Sequence, residues 1–389
     1  MNRLYRAGVL LFLVFPWAVF GQDDSGPQGI RLKGIELLPV ADAVVAYDDR
    51  VQVDSAGNAS SDYYSELSAG VTLRNLPARY TLSATASYGY RFYSENRSLN
   101  DDFYNLGADV GSEASLLRWN LSTDLAKTLS YNASYDPDTG TGPDPILTDG
   151  ESRRSITEGS IAYFLSISDK IAIIPGYFAQ HYYQEFVAAE SAEWQTHSVG
   201  AEMNFVYSPK TTFLVDGYYE LQVNGDEDGN TASFNVGIVR VITDKTSLRA
   251  LIGYGYADYE LSGSSQGVLS DIRGQWQVTD KVSAYVFGGN DYQPGYAGGP
   301  ARMTYRAGYG AGWEPLVKWS LGLQVLHSYD DAVDGKSADS LYGGVRHFFS
   351  AQCRYDITTR FGLSLSGDYV NDEQPVNQTV IAIRLDYAL

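Results

Sequence analysis

Apolar and polar side chains alternate along most of this chain. In 80–92, Tyr80, Leu82, Ala84, Ala86, Tyr88, Tyr90 and Phe92 share one face, and Thr81, Ser83, Thr85, Ser87, Gly89 and Arg91 share the other. A period of two is the geometry of a β-strand, whose successive side chains point to opposite faces. In 303–313, Met303, Tyr305, Ala307, Tyr309, Ala311 and Trp313 oppose Thr304, Arg306, Gly308, Gly310 and Gly312. In 361–369, Phe361, Leu363, Leu365 and Tyr369 oppose Gly362, Ser364, Ser366 and Asp368. The last stretch sets Ile381, Ile383, Leu385, Tyr387 and Leu389 against Ala382, Arg384 and Asp386. Aromatic residues at the ends of an apolar face and aliphatic ones in its middle match a lipid-facing band between two girdles.

The pattern predicts strands near 38–48, 62–74, 79–93, 102–111, 116–130, 154–167, 170–185, 193–207 and 211–223. It continues at 231–242, 246–260, 266–278, 281–291, 301–313, 317–329, 338–355, 359–370 and 377–388, about eighteen strands in all. A short polar turn separates alternate pairs at an interval of roughly 36 to 40 residues: Ser168-Asp169-Lys170, Ser208-Pro209-Lys210, Thr243-Asp244-Lys245 and Thr279-Asp280-Lys281. Looser copies are Glu314-Pro315-Leu316-Val317-Lys318 and Asp356-Ile357-Thr358-Thr359-Arg360. The other connections are longer, acidic and Gly-rich. Tight turns at one end and long loops at the other mark an up-and-down antiparallel β-barrel of the transmembrane kind. A soluble β-sandwich also alternates, but its strands average about 5 or 6 residues. These run to roughly 10 to 15, the length that crosses a bilayer at a tilt. An even strand number places both termini in the periplasm, with the short turns there and the long loops outside. A barrel of about 18 strands leaves an aqueous lumen.

The N-terminus fits export. Arg3 and Arg6 precede an uncharged apolar run from Gly8 to Phe20, and Val19 and Gly21 suit the −3 and −1 positions of a signal-peptidase site. The expected organisation is a cleaved signal peptide at 1–21, a short periplasmic segment at 22–36 and an outer-membrane barrel at 37–389. Cleavage removes two arginines and no acid, which takes the formal net charge from −19 to −21. So acidic a chain is a poor nucleic-acid partner. The single cysteine, Cys353, closes no intramolecular disulfide and builds no zinc or iron–sulfur site. Tyr outnumbers Phe, 31 to 15, as suits rings that straddle a membrane–water boundary.

The opening strand Leu37-Leu38-Pro39-Val40-Ala41-Asp42-Ala43-Val44-Val45-Ala46-Tyr47-Asp48-Asp49-Arg50-Val51 resembles the start of β-barrel porin families of Gram-negative bacteria, which carry Tyr-Asp-Asp-Asn-Val there. Tyr47, Asp48, Asp49 and Val51 match, and Arg50 replaces the Asn. The resemblance implies an outer-membrane protein associated with exopolysaccharide or capsule export. Leu389 departs from the Phe or Trp that ends many such barrels, and Tyr387 is the nearest aromatic for the insertion machinery to read.

A lipid-facing Arg or Lys at the bilayer midplane costs about 2–4 kcal/mol, so charged positions on the alternating strands belong inside. The basic pore-lining candidates are Arg273, Arg306, Arg346, Arg354 and Arg384, and the acidic ones Glu202, Asp216 and Glu220. Opposed basic and acidic walls would set a transverse field across the lumen. The alternative is that the same charges form inter-strand ion pairs. Loop 132–152, with Pro137, Pro143 and Pro145, is long enough to fold over the mouth. Acidic tips at Asp226-Glu227-Asp228 and at Asp330-Asp331 with Asp334 lack EF-hand spacing, so no metal site is predicted. His181, His197, His327 and His347 all fall on the outward phase without an accompanying acid and Ser, so neither an enzyme nor a cofactor is predicted. The sequence therefore points to a porin-like barrel passing a polar solute, with lipid and lipopolysaccharide around it. The resemblance alone adds polysaccharide as cargo. A structural or adhesin-type barrel closed by loop 132–152 and a non-specific diffusion porin are the other two readings.

Overall fold

A computed structural model describes residues 29–32, 34–53, 59–75, 80–112, 116–128, 152–186, 192–224, 228–260, 263–293, 302–332, 344–372 and 377–388. The strands in chain order are β1 Ile30–Leu32, β2 Ile35–Val53, β3 Ala59–Asn75, β4 Thr81–Tyr93, β5 Asp101–Ser112, β6 Leu117–Thr128 and β7 Ser152–Tyr163. Next come β8 Leu165–Ser168, β9 Ile171–Phe186, β10 Ala192–Ser208, β11 Thr211–Asn224, β12 Gly229–Thr243, β13 Thr246–Tyr259 and β14 Gly263–Thr279. The rest are β15 Val282–Gln293, β16 Arg302–Leu316, β17 Trp319–Ala332, β18 Gly344–Asp356, β19 Phe361–Asp372 and β20 Gln378–Ala388.

Each strand pairs antiparallel with its chain neighbour, and β2 pairs with β20 from Val40↔Ala388 to Asp48↔Val380, which closes the sheet. Two strands are accessories. β8 continues β7 past Phe164 against β9, and β1 turns back on the start of β2 beyond the end of β20. The wall is therefore an eighteen-strand closed barrel. β2 begins and β20 finishes at the same end, which is also the end of the short turns.

Eighteen strands match the number read from periodicity, and most boundaries fall within a few residues. The first strand begins earlier than alternation suggests, at Ile35. Glu36 interrupts the apolar run, yet it is buried on the interior face between Arg74 and Arg31, whose nitrogens lie 2.7 and 3.3 Å from its carboxylate. Residues 1–21 of the expected signal peptide, residues 132–151 of the long loop 132–152, and Leu389 lie outside the described residues.

The outward face is apolar and exposed: Val45, Leu106, Val199, Ile252, Val286 and Ile383 sit in its middle band. Trp276, Trp313 and Trp319 ring the short-turn end, and Tyr63, Tyr256, Tyr305 and Tyr329 ring the long-loop end. Exposed apolar rings on this scale are stable against lipid and not against water.

The recurring turn has a physical cause. The Ser or Thr hydroxyl accepts the backbone N–H two residues on: Lys170 to Ser168 at 3.3 Å, Lys210 to Ser208 at 3.3 Å, Lys245 to Thr243 at 3.2 Å, Lys281 to Thr279 at 3.2 Å and Arg360 to Thr358 at 3.1 Å. The basic residue that follows faces the next hairpin. The Lys210 carbonyl accepts from Val241 N–H at 2.9 Å, while Lys210 Nζ meets Asp244 at 3.3 Å. Lys245 repeats this with Gln277 N–H at 2.7 Å and Asp280 at 3.2 Å. Lys281 and Lys318 donate instead to the carbonyls of Pro315 and Ile357, at 2.9 and 3.0 Å.

One seam is held differently. The β14–β15 ladder stops at Ser270↔Asn290 although β14 runs on to Gly263. Asn290 Oδ1 accepts from Ser270 N–H at 2.9 Å, and its Nδ2 donates to the Val268 carbonyl at 2.8 Å. Leu269, Tyr292 and Met303 cluster in a buried apolar group beside this seam.

The assignment of faces makes a direct prediction. Ile252→Arg, on the outward middle of β13, is expected to cost about 2–4 kcal/mol. Ser350→Arg, on the inward face of β18, is expected to change stability by about 0.5 kcal/mol or less. Denaturant titration of the barrel in phospholipid vesicles measures both. Equal effects would show that the faces are wrongly assigned.

Candidate functional site

Directly opposed residues in an antiparallel sheet share a face, so the register sorts the interior into rows that run around the wall. All eight charged candidates fall on the inward face. Glu202 on β10 lies opposite Asp216 on β11, which lies opposite Asn235 on β12. Asn235 Nδ2 donates to Asp216 at 2.7 Å, and Asn204 Nδ2 donates to Glu202 at 2.6 Å. Glu220, four residues further along β11, accepts from Gln222 Nε2 at 2.6 Å. None of these three carboxylates has an ion-pair partner among the described residues; their neighbours are amides.

The arginines are arranged differently. Arg273 pairs with Asp271 at 2.9 Å. Arg354 reaches Asp386 with two parallel bonds of 2.9 Å and also meets Asp356 at 2.8 Å. Arg384 meets Asp42 at 3.0 Å across the closing seam. Arg346 and Arg302 flank Asp330 at 3.5 and 3.7 Å, and Thr304 Oγ1 donates to Asp330 at 2.7 Å. This last cluster is buried. Arg306 has no ion pair among the described residues. The basic residues thus do not form one continuous field-bearing wall. Four of the five have a carboxylate beside them, with Asp271 shared by Arg249 at 3.6 Å and Asp330 by Arg302; of the eight candidates, Glu202, Asp216, Glu220 and Arg306 have no ion-pair partner among the described residues.

Sequence reading placed Asp330 at a loop tip. It lies within β17, on the same inward phase as Gln324 and Ser328, because the strand runs on to Ala332. The alternation carries that signal if it is followed past residue 329. Asp42, Asp356 and Arg302 are the other missed partners. Their roles depend on which strand lies beside which, and periodicity along one strand does not contain that information.

A second interior feature is apolar. Four inward rings lie against directly opposed glycines: Phe103 on Gly89, Tyr259 on Gly229, Phe287 on Gly308 and Tyr285 on Gly310. A Cβ on Gly308 would come within 2.3 Å of Phe287 Cζ, and one on Gly310 within 2.4 Å of Tyr285 Cζ. Glycine at these positions leaves room for each ring to lie flat on the wall. The planes of Tyr285 and Phe287 differ by 18° with centroids 6.3 Å apart, so the two rings tile side by side along β15.

The histidines face outward. His327 and His347 lie Nδ1 to Nδ1 at 2.6 Å, and Tyr177 Oη lies 2.8 Å from His197 Nδ1. His181 has a carboxylate neighbour that the sequence reading did not place, Glu193 at 3.0 Å. Among the described residues, no group of three or more His, Cys, Asp or Glu side chains is arranged to hold a metal ion.

No protein-family model matches this chain, and no curated protein matches it by sequence. Solved structures do match its fold. A BenF-like porin from Pseudomonas fluorescens Pf-5 superposes with a TM-score of 0.51 at 8% identity, over 92% of this chain and 99% of that one. OpdQ from Pseudomonas aeruginosa gives 0.50 at 10% identity, over 92% and 99%. OccK2 from Pseudomonas aeruginosa, in complex with glucuronate, gives 0.50 at 9% identity, over 93% and 99%. The fold is that of outer-membrane porins. A closed barrel with this lipid-facing band belongs in the bacterial outer membrane. None of these three proteins is described as an exopolysaccharide exporter.

Removing one member of the buried ion cluster tests its structural weight. Asp330→Asn is expected to cost about 3–5 kcal/mol, because it takes the carboxylate from between two buried guanidiniums. Glu202→Gln, whose partner is a neutral amide, is expected to cost about 1 kcal/mol or less. Denaturant midpoints of the two variants give the comparison.

Proposed function

We propose that this barrel is an outer-membrane channel for small polar solutes, with the short turns and both termini of the barrel wall periplasmic and the long loops outside. The observation that carries the reading is the inward face itself. It is lined by carboxylates, guanidiniums, amides and hydroxyls around an eighteen-strand wall, a size at which side chains leave an aqueous path. The porin fold of the matching structures supports it.

The charge pattern gives the channel a sign. Glu202, Asp216 and Glu220 have no cation beside them among the described residues, while four of the five candidate arginines stand next to a carboxylate. Fixed negative charge in a narrow aqueous path raises the local cation concentration. The channel therefore prefers cations over anions of equal size, with Arg306 opposing that preference.

Planar-bilayer recording tests both parts. We expect a steady open conductance and a reversal potential on the cation side under a KCl gradient. Arg306→Glu is expected to move it further in that direction. Glu202→Gln combined with Asp216→Asn is expected to move it back toward neutrality. An absence of conductance sinks the channel reading, and a reversal potential unmoved by either change sinks the assignment of these residues to selectivity.

A further inference from the structure

Between the charged rows lies a stretch of wall on β13 to β19 that carries almost no charge. Following the register around the interior, Ser247 lies opposite Gln275, then Tyr285, Gly310, Gln324, Ser350 and finally Asp368. The next row toward the short turns runs Gln277, Ser283, Gly312, Gly322, Gln352 and Ser366. No arginine or lysine enters either row, and Asp368 at the far end is the one acid. Gly310, Gly312 and Gly322 leave the floor between them low, and a Cβ on Gly322 would meet nothing within 4 Å. A cavity of about 440 Å³ opens at the short-turn end, with Thr243, Ser247, Gln275, Gln277, Ser283 and Tyr285 in its lining. Two charged residues stand at its rim, Lys245 engaged with Asp280 at 3.2 Å and Asp244 engaged with Lys210 at 3.3 Å.

We infer that this belt is a binding subsite for a neutral saccharide ring, built on the flat face of Tyr285 and the amides of Gln275 and Gln277. The inference rests on the channel reading and names a solute class for it. The C–H bonds on one face of a pyranose carry partial positive charge and meet the negative face of an aromatic ring. Gly310 holds the Tyr285 ring flat to the wall. The sugar's hydroxyls each donate and accept, and Gln and Ser side chains also do both, whereas a row of arginines only donates. A charged solute would find no counter-ion on β13 to β18 in either row. Selection here is therefore by shape and hydrogen bonding, in contrast to the ionic rows on either side.

Single-channel recording with maltohexaose as probe tests this. In the wild-type channel maltohexaose is expected to interrupt the current reversibly. Tyr285→Ala is expected to shorten the interruptions about tenfold, the loss of one ring–ligand contact with its neighbouring order. Tyr285→Phe is expected to preserve them, which separates ring stacking from loss of the phenol. Gly310→Leu is expected to abolish them by lifting the ring from the wall, with the open conductance still measurable. A wild-type channel that conducts steadily and is not interrupted by maltohexaose overturns the saccharide subsite and leaves the channel reading standing. So does a channel that glucuronate interrupts more strongly than maltohexaose. A protein that never conducts overturns the channel reading itself.

Discussion

The structure depends on one requirement: no backbone N–H or C=O may be left without a partner in hydrocarbon. An open sheet fails this at its two edges, and each unmet group costs several kcal/mol in lipid. The pairing of β2 with β20 removes both edges together. Closure then forces everything else. Each strand must show one face to lipid and one to the interior, so charge is driven inward and aromatic residues gather where lipid meets water. β20 is shorter than β2, and β1 folds back on the part of β2 that β20 does not reach, so the seam is extended by the chain's own preceding segment.

Much of this architecture was legible in the sequence because a period of two survives without knowledge of the partner strand. Strand number, the alternation of turn and loop and the two faces all follow from it. Even the charged candidates came out on the inward face, since lipid excludes them. What was not legible is lateral. Arg384 and Asp42 are 342 positions apart, and nothing along either strand says that they meet. Asp330 looked like a loop residue because acidic pairs usually end strands, yet two buried guanidiniums keep it inside one. The glycines of β16 were visible as a polar face, but that they make room for the rings of β15 becomes visible only when the register is known.

The interior is therefore zoned. Ion pairs tie neighbouring strands at Arg384–Asp42 and Arg346–Asp330, and Arg354–Asp386 reaches over β19 from β18 to β20. The acids of β10 and β11, Glu202, Asp216 and Glu220, have amides beside them instead. Between these zones, rings lie flat on glycine and amides border them. A side chain that projects narrows a channel, and one that lies flat does not, so the glycines place aromatic surface inside the barrel at little cost in bore.

The chain of turn lysines has a mechanical consequence. From Lys210 to Lys318, each links its own hairpin to the next through backbone carbonyl, side-chain amine or both, always in the same direction around the rim. The individual contacts are exposed and weak. Their value is collective, as in a basket whose rim is bound by one running cord: the hairpins cannot fan apart or slide past one another at that mouth without breaking several links in sequence. At the opposite mouth the β14–β15 seam is fastened by the side chain of Asn290 instead of a full ladder. The two mouths are thus bound by different means, one by links repeated from hairpin to hairpin and the other, at this seam, by a single side chain.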